Sequence, residues 1–278
     1  MPVPSLDRPL VLDGGLSNAL EDRGHDLGGP LWTARLLRDS PAEVAAVHRA
    51  YFAAGARVAT TASYQAPPEA ADLLRLSVRL ARDVVDEVAQ DGVERYVAAS
   101  VGPYGACLAD GSEYRGRYGL SAAALRDFHA PRLEMLAGER PDLFAVETIP
   151  DLDEAAVLVD LLDELGLPAW VSLTVDGDRT RAGQPLGEAL SAVAAGRSVI
   201  AVGVNCCNPA DVPAGVRAAA RTGLPAVCYP NSGEFENGHS PFDASRAPGW
   251  VAAGARLVGG CCRVGPAQIA ELADTLAA

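Results

Sequence analysis

The sequence predicts a (β/α)8 barrel forming one domain over residues 1–278. Short apolar runs rich in β-branched residues alternate eight times with segments of helical period. No shift of composition and no flexible linker divides the chain, and its 278 residues suit the roughly 250 that one such barrel occupies. A doubly wound sheet usually has fewer strands, so eight βα units favour the closed form.

In chain order, the first strand is expected at "LVLDG" (10–14) and the first barrel helix at 41–54. In "SPAEVAAVHRAYFAAG", Ser40 stands as N-cap, Pro41 at the first helical position and Gly55 just past the end, while Val44, Val47, Tyr51 and Ala54 form an apolar stripe. Strand 57–63 is followed by helix 69–90, strand 95–101 by helix 121–137, and strand 143–148 by helix 151–165. Strand 169–175 leads to helix 186–195, strand 199–205 to 210–222, strand 226–230 to 243–253, and strand 255–260 to 266–277. Two Gly-rich segments without periodicity, 102–119 and 231–241, follow the third and seventh strands. Loops on that side of a barrel carry chemistry.

Hydrophobic residues make up 49% of the chain and charged residues 21%, a globular balance. The formal charge of −13 repels phosphate backbones and argues against nucleic acid as a partner. "MPVPSLDRPLVLDGG" lacks the layout of a signal peptide and no apolar run reaches membrane-spanning length, so a cytoplasmic protein is expected. Thiols stay reduced there, which makes Cys107, Cys206, Cys207, Cys228, Cys261 and Cys262 metal ligands, catalytic groups or core filler rather than disulfides.

The unusual residues fall at strand ends. Asp13, Gly14 and Gly15 close the first strand; Thr60, Thr61, Ser63 and Tyr64 the second; Glu147 and Thr148 the fourth; Asn205, Cys206 and Cys207 the sixth; Cys261 and Cys262 the eighth; and Asn231 follows the seventh. In a barrel these ends surround one mouth, so Cys206 and Cys261 can meet. Side chains alternate along a strand, and Gly259 and Gly260 permit the departure that aims both vicinal cysteines at one point. Three thiolates suit zinc and leave a fourth tetrahedral position for substrate. Spacing alone does not choose between Cys206 and Cys207.

The segments "LDGGLSNALEDRG", "TTASYQA", "VGPYGACLADGSEYRGRYG", "FAVETIPDLDEA", "VGVNCCNP", "YPNSGE" and "GGCCR" resemble, in order and from residue 12 to about 275, the homocysteine S-methyltransferases, most closely the S-methylmethionine-dependent subgroup. The resemblance implies Zn2+ on Cys206, Cys261 and Cys262, with Cys207 a neighbour. It implies that Asp13, Gly14 and Glu147 hold the amino-acid part of homocysteine and that Asn231 meets the metal's open position when substrate is absent. Thr61, Ser63 and Asn205 on the same rim complete the expected substrate contacts. The segments after "SYQA" and "YPNSGE" are shorter than family members usually carry, which bears on donor recognition and closure.

Metal coordination suits a thiol nucleophile, and a sulfonium donor leaves as a neutral thioether that needs no general acid. That agrees with the lack of histidine at any strand end: His25, His48, His129 and His239 read as surface or packing residues, His239 lying nearest the mouth. Tyr104, Tyr114 and Tyr118 read as braces of the Gly-rich loop, and Arg115, Arg117 and Arg263 as carboxylate-orienting or surface groups. Competing functions are a zinc hydrolase, disfavoured by an all-cysteine ligand set, a zinc-binding dithiol redox protein, and transfer to another thiol or selenol from S-adenosylmethionine. A chain ending right after its eighth helix is expected to be a monomer.

Overall fold

Eight parallel strands close into a barrel in the computed structural model of the chain, which describes residues 3–28, 31–233 and 240–278. They are β1 (Leu10–Val11), β2 (Val58–Thr60), β3 (Tyr96–Val101), β4 (Leu143–Ile149), β5 (Ala169–Leu173), β6 (Val199–Asn205), β7 (Ala226–Tyr229) and β8 (Ala255–Val258). Pairing runs β1–β8–β7–β6–β5–β4–β3–β2. The ring closes through a parallel bridge between Leu12 and Val58 and a 2.8 Å bond from the Arg57 amide to the Val11 carbonyl.

Every expected strand exists, several of them shorter at the end facing the mouth. The run 57–63 is strand only to Thr60, because the chain then turns to deliver Thr61 and Ser63 to β3. The barrel helices are Pro41–Ala53, Ala71–Val88, Ala122–Gly138, Leu152–Leu165, Leu186–Val193, Val212–Ala220, Ala247–Ala252 and Pro266–Ala277. Three further helices, Leu16–Glu21, Trp32–Asp39 and Tyr104–Leu108, and a two-stranded ribbon, Val175–Asp176 with Arg179–Thr180, occupy connections at the mouth. Ser40 precedes helix Pro41–Ala53, yet its hydroxyl makes no cap bond; Pro41 and Gly55, at φ +96°, mark the ends.

Alternation along the strands sorts their side chains. Tyr96, Ala98, Leu143, Ala145, Trp170, Val227 and Leu257 pack inside the barrel. Val97, Phe144, Val146, Val171, Val202 and Val204 join the larger core that includes the helices. Continuing the inward register by two residues reaches Ser100 on β3, Glu147 on β4 and Ser172 just before the end of β5. The interior therefore changes from apolar to polar at one end, and that end is the mouth.

One core position carries a cost. His48 is 1% exposed and neither ring nitrogen has a hydrogen-bond partner among the described residues. Burial pushes its pKa from 6.5 down to about 4. The unfolded imidazole takes up a proton that the folded one refuses, so the stability tied to a neutral His48 is complete above pH 6.5 and drains as pH falls toward 4. Between pH 7 and pH 5 that amounts to roughly 2 kcal/mol. His48→Leu is expected to abolish this share of the acid loss, measured as the difference in urea-unfolding free energy at the two pH values.

Candidate active site

At the mouth, Cys206 from the end of β6 meets Cys261 and Cys262 from the turn after β8. The three sulfurs all lie within 4.8 Å of one another, and Cys206 Sγ is 3.7 Å from Cys262 Sγ. Backbone geometry produces this meeting. Cys206 sits in the left-handed region at φ +47°, its amide bonded to the Tyr229 carbonyl at 3.2 Å and its carbonyl accepting from Thr174 Oγ1 at 3.2 Å. The Cys261 amide donates to the Pro230 carbonyl at 2.8 Å, and the Cys262 amide to Asn231 Oδ1 at 3.1 Å. Gly259 is required by close approach: a Cβ there would stand 2.6 Å from Leu12 Cβ and 2.8 Å from the Asp13 carbonyl oxygen. Neither Gly259 nor Gly260 has positive φ, so crowding, not conformational freedom, selects glycine here.

Cys207 turns away and is fully buried in the larger core with Cys228. The alternative that spacing leaves open is thus decided by the turn at Cys206. Without a cation the three thiols share their charge unevenly. Hydrogen bonds from Cys206 and then Cys261 hold Cys262 well below an ordinary thiol. Cys261 is pushed well up by its bonds to Cys206 and Cys262. Three soft donors gathered around one point, one of them readily ionised, fit a thiophilic metal ion.

The sulfurs open onto a cavity lined also by Asp13, Gly14, Thr60, Thr61 and Glu147. Glu147 is 8% exposed and accepts a short hydrogen bond from Ser100 Oγ. Burial raises its pKa to about 7 despite the Ser100 and Tyr229 hydroxyls that favour the anion. Asp13 accepts from the Thr60 amide at 2.7 Å and the Thr60 hydroxyl at 2.8 Å, and burial raises it too to about 7. Gly14 lies against the Val264 carbonyl and the Tyr51 ring, where any Cβ would collide.

The remaining expected residues support the cavity from behind. Thr61 Oγ1 accepts from the Ser100 amide at 3.0 Å, and Ser63 Oγ donates to the Ser100 carbonyl at 2.7 Å, so both position the residue that holds Glu147. Thr61 also lines the cavity; Ser63 does not. Asn205 is fully buried, accepting from the Thr148 amide and donating to the Thr148 hydroxyl, both at 2.8 Å. It clamps Thr148 at φ +60°, a conformation a β-branched residue rarely adopts. Asn231 spends its side-chain oxygen on the Cys262 amide and lines an outer cavity, together with Arg263.

Sequence reading assigned no site role to Tyr114 or Tyr229. Tyr114 Oη is 3.2 Å from Cys206 Sγ, while Tyr104 and Tyr118 stack at 5.3 Å and do brace the loop. Tyr229 Oη accepts from Trp170 Nε1 at 2.9 Å and bonds Ser172 Oγ at 2.6 Å. The inward register of β7 is the signal that points to Tyr229; nothing local points to Tyr114. Arg115 and Arg117 line neither cavity, and His239 lies outside the described residues. His129 is a packing residue: its Nε2 is 2.9 Å from Glu154, beside buried Arg132.

A family model described as homocysteine S-methyltransferase matches residues 10–276. The chain belongs to that family. It is 40% identical to homocysteine S-methyltransferase 1 of Zea mays, over 96% of this chain and 94% of that protein. It is also 40% identical to the homocysteine S-methyltransferase of Escherichia coli, over 95% and 94%. Among solved structures, the metallated form of the E. coli homocysteine methyltransferase MmuM superposes with a TM-score of 0.88 at 40% identity, covering 96% of each chain. The apo form gives 0.80. This family member is therefore an enzyme, and its cysteine trio can hold a metal ion.

Protein purified under reducing conditions is expected to carry close to one metal ion per chain by elemental analysis. Cys206→Ser, Cys261→Ser and Cys262→Ser should each lose it, and Cys207→Ser should retain it. Loss in Cys207→Ser with retention in Cys206→Ser would reverse the ligand assignment.

Proposed function

We propose that the enzyme transfers a methyl group from a sulfonium donor, S-methylmethionine, to the thiol of homocysteine, giving methionine, with zinc held by Cys206, Cys261 and Cys262. The observation that carries this reading is the joining of three convergent thiols and two buried carboxylates in one cavity. When bound, the ion supplies a Lewis-acid site at which a substrate thiol ionises at neutral pH. Glu147 and Asp13 are the partners for the substrate ammonium, and Ser100 and Thr60 fix the orientation of the two carboxylates. Tyr114 Oη lies 3.2 Å from Cys206 Sγ and, once that sulfur is a thiolate, donates to it, draws electron density from it and makes it a poorer competitor for the methyl group.

In the transfer, a lone pair of the homocysteine sulfur forms the new S–CH3 bond. The donor's S–CH3 bond breaks with its electron pair left on the departing sulfur, and the thiol proton passes to solvent. Both products are methionine. The leaving thioether is neutral, so the lack of histidine among the described lining residues of the inner cavity costs nothing. A redox dithiol cycling Cys261 and Cys262 has no use for Glu147 and Asp13. Six free cysteines support a reducing, cytoplasmic setting, and no helix among the described residues is long and apolar enough to cross a membrane.

Glu147→Gln is expected to weaken homocysteine binding roughly ten- to hundredfold while leaving the metal in place, the loss of one charge-assisted hydrogen bond. Because burial holds Glu147 and Asp13 near pKa 7, an ammonium ligand draws them into the ionised form and expels protons. Methionine, which has no thiol proton, should therefore bind more tightly as pH rises from 6 to 8. Calorimetry in buffers of different ionisation enthalpy should record proton release near pH 7, reduced in Glu147→Gln. Incubation with homocysteine and each donor separately tests the chemistry: no methionine from any sulfonium overturns the transfer, and methionine from S-adenosylmethionine alone overturns only the donor.

A further inference from the structure

The inner cavity is lined by Asp13, Glu113, Glu147 and three thiols, with no lysine, arginine or histidine among its described lining residues. It opens into a wider outer cavity that shares Glu113, Tyr114, Cys206 and Cys262 with it and adds Arg181, Arg263 and Glu21 to its wall. Two groups there hold unused hydrogen-bonding capacity. Among the described residues, Glu113 Oε2 and Arg181 Nε are both buried with no hydrogen-bond partner. Leaving such atoms unsatisfied costs free energy that a bound ligand can recover.

Both side chains are held in register with the sulfurs. The Arg181 amide donates to the Thr174 carbonyl at 3.2 Å, and Thr174 Oγ1 bonds the Cys206 carbonyl at 3.2 Å, which ties the ribbon to the cysteine turn. The neighbouring Ala182 amide is anchored on the Pro150 carbonyl at 2.9 Å. Glu113 belongs to the tight turn Ser112–Tyr114, whose next residue reaches Cys206 at 3.2 Å. A negative group that borders both cavities beside the sulfurs, and a positive group that borders only the outer one, match a zwitterion whose second cation points inward.

We propose that Arg181 and Glu113 are specificity-determining residues for the methyl donor: the Arg181 guanidinium takes the carboxylate of a sulfonium α-amino acid in the outer cavity, and the Glu113 carboxylate faces its sulfonium centre. This rests on the transfer reading above and assigns to it the features of the donor that are recognised. A carboxylate on a guanidinium forms a charge-assisted pair in a fixed orientation, which directs the methyl end toward the thiols. Glu113 acts on charge alone and serves any sulfonium.

The experiment compares S-methylmethionine with its decarboxylated analogue, (3-aminopropyl)dimethylsulfonium, by steady-state kinetics and by calorimetric binding to the metal-loaded enzyme. Arg181→Gln should raise KM and Kd for S-methylmethionine roughly tenfold, leave KM for homocysteine unchanged, and have no effect on the decarboxylated donor. Arg181→Lys should restore part of the difference. Glu113→Gln should weaken both donors by similar factors. Equal losses for both donors in Arg181→Gln, or no loss for either, overturn the carboxylate assignment. Glu113→Gln without effect on either donor overturns the sulfonium assignment. Failure of S-methylmethionine to bind the wild type overturns both, whereas binding without methionine formation overturns the transfer reading and leaves the recognition site standing.

Discussion

Negative charge confined in a buried cavity is the constraint on which the site depends. Three thiols and three carboxylates line the inner cavity, and no cationic side chain among its described residues offsets them. Burial pushes Asp13 and Glu147 up to about 7. Such a cavity is stable when protonated and becomes functional when cations enter. On the transfer reading proposed above, a metal ion for the sulfurs, an ammonium for the carboxylates and a sulfonium for the remaining charge would each be drawn by the same field, so that binding and catalysis would share one electrostatic cause.

That cavity needs rigid walls, and the fold supplies them through side chains that bond backbone. Asn205 locks Thr148 in a left-handed conformation next to Glu147, and Asn231 holds the amide of Cys262. Farther out, buried Arg132 donates to the carbonyls of Ala66 and Gly102 at 2.9 and 3.0 Å and to Tyr64 at 3.1 Å, which joins the loops after β2 and β3. Glu154 accepts from the Tyr104 amide at 2.6 Å and faces His129, so the Gly-rich loop carrying Tyr114 is anchored from below. A buried guanidinium is costly unless fully hydrogen-bonded. Here its partners are mostly loop carbonyls, so its satisfaction and the loop geometry are the same event.

Much of this was legible from local pattern. All eight strands and all eight barrel helices appear where hydrophobic period places them, because period is a property of consecutive residues. The clustering of unusual residues at strand ends identified Asp13, Glu147, Cys206, Cys261 and Cys262 as neighbours, since parallel strands of a barrel all end at one mouth. The helix Trp32–Asp39 escaped notice although it is as long as Leu186–Val193, and the ribbon just before Arg181 is too brief to show a period.

What the sequence by itself determined is therefore the barrel, its mouth and the kinds of group gathered there. The tertiary structure decided which of those groups face the cavity. Ser63 and Asn205 share the rim with Glu147, yet they bond the backbone of Ser100 and Thr148 instead of lining the inner cavity. Cys206 and Cys207 are adjacent and chemically identical, and only the left-handed turn at Cys206 sends one sulfur to the other two thiols at the mouth and the other to the core. Tyr114 reaches Cys206 from 92 residues away. The physical reason is common to all of these: side-chain direction at a strand end is set by the turn that follows and by the partners barrel closure brings within hydrogen-bond distance, and neither is a property of the local sequence.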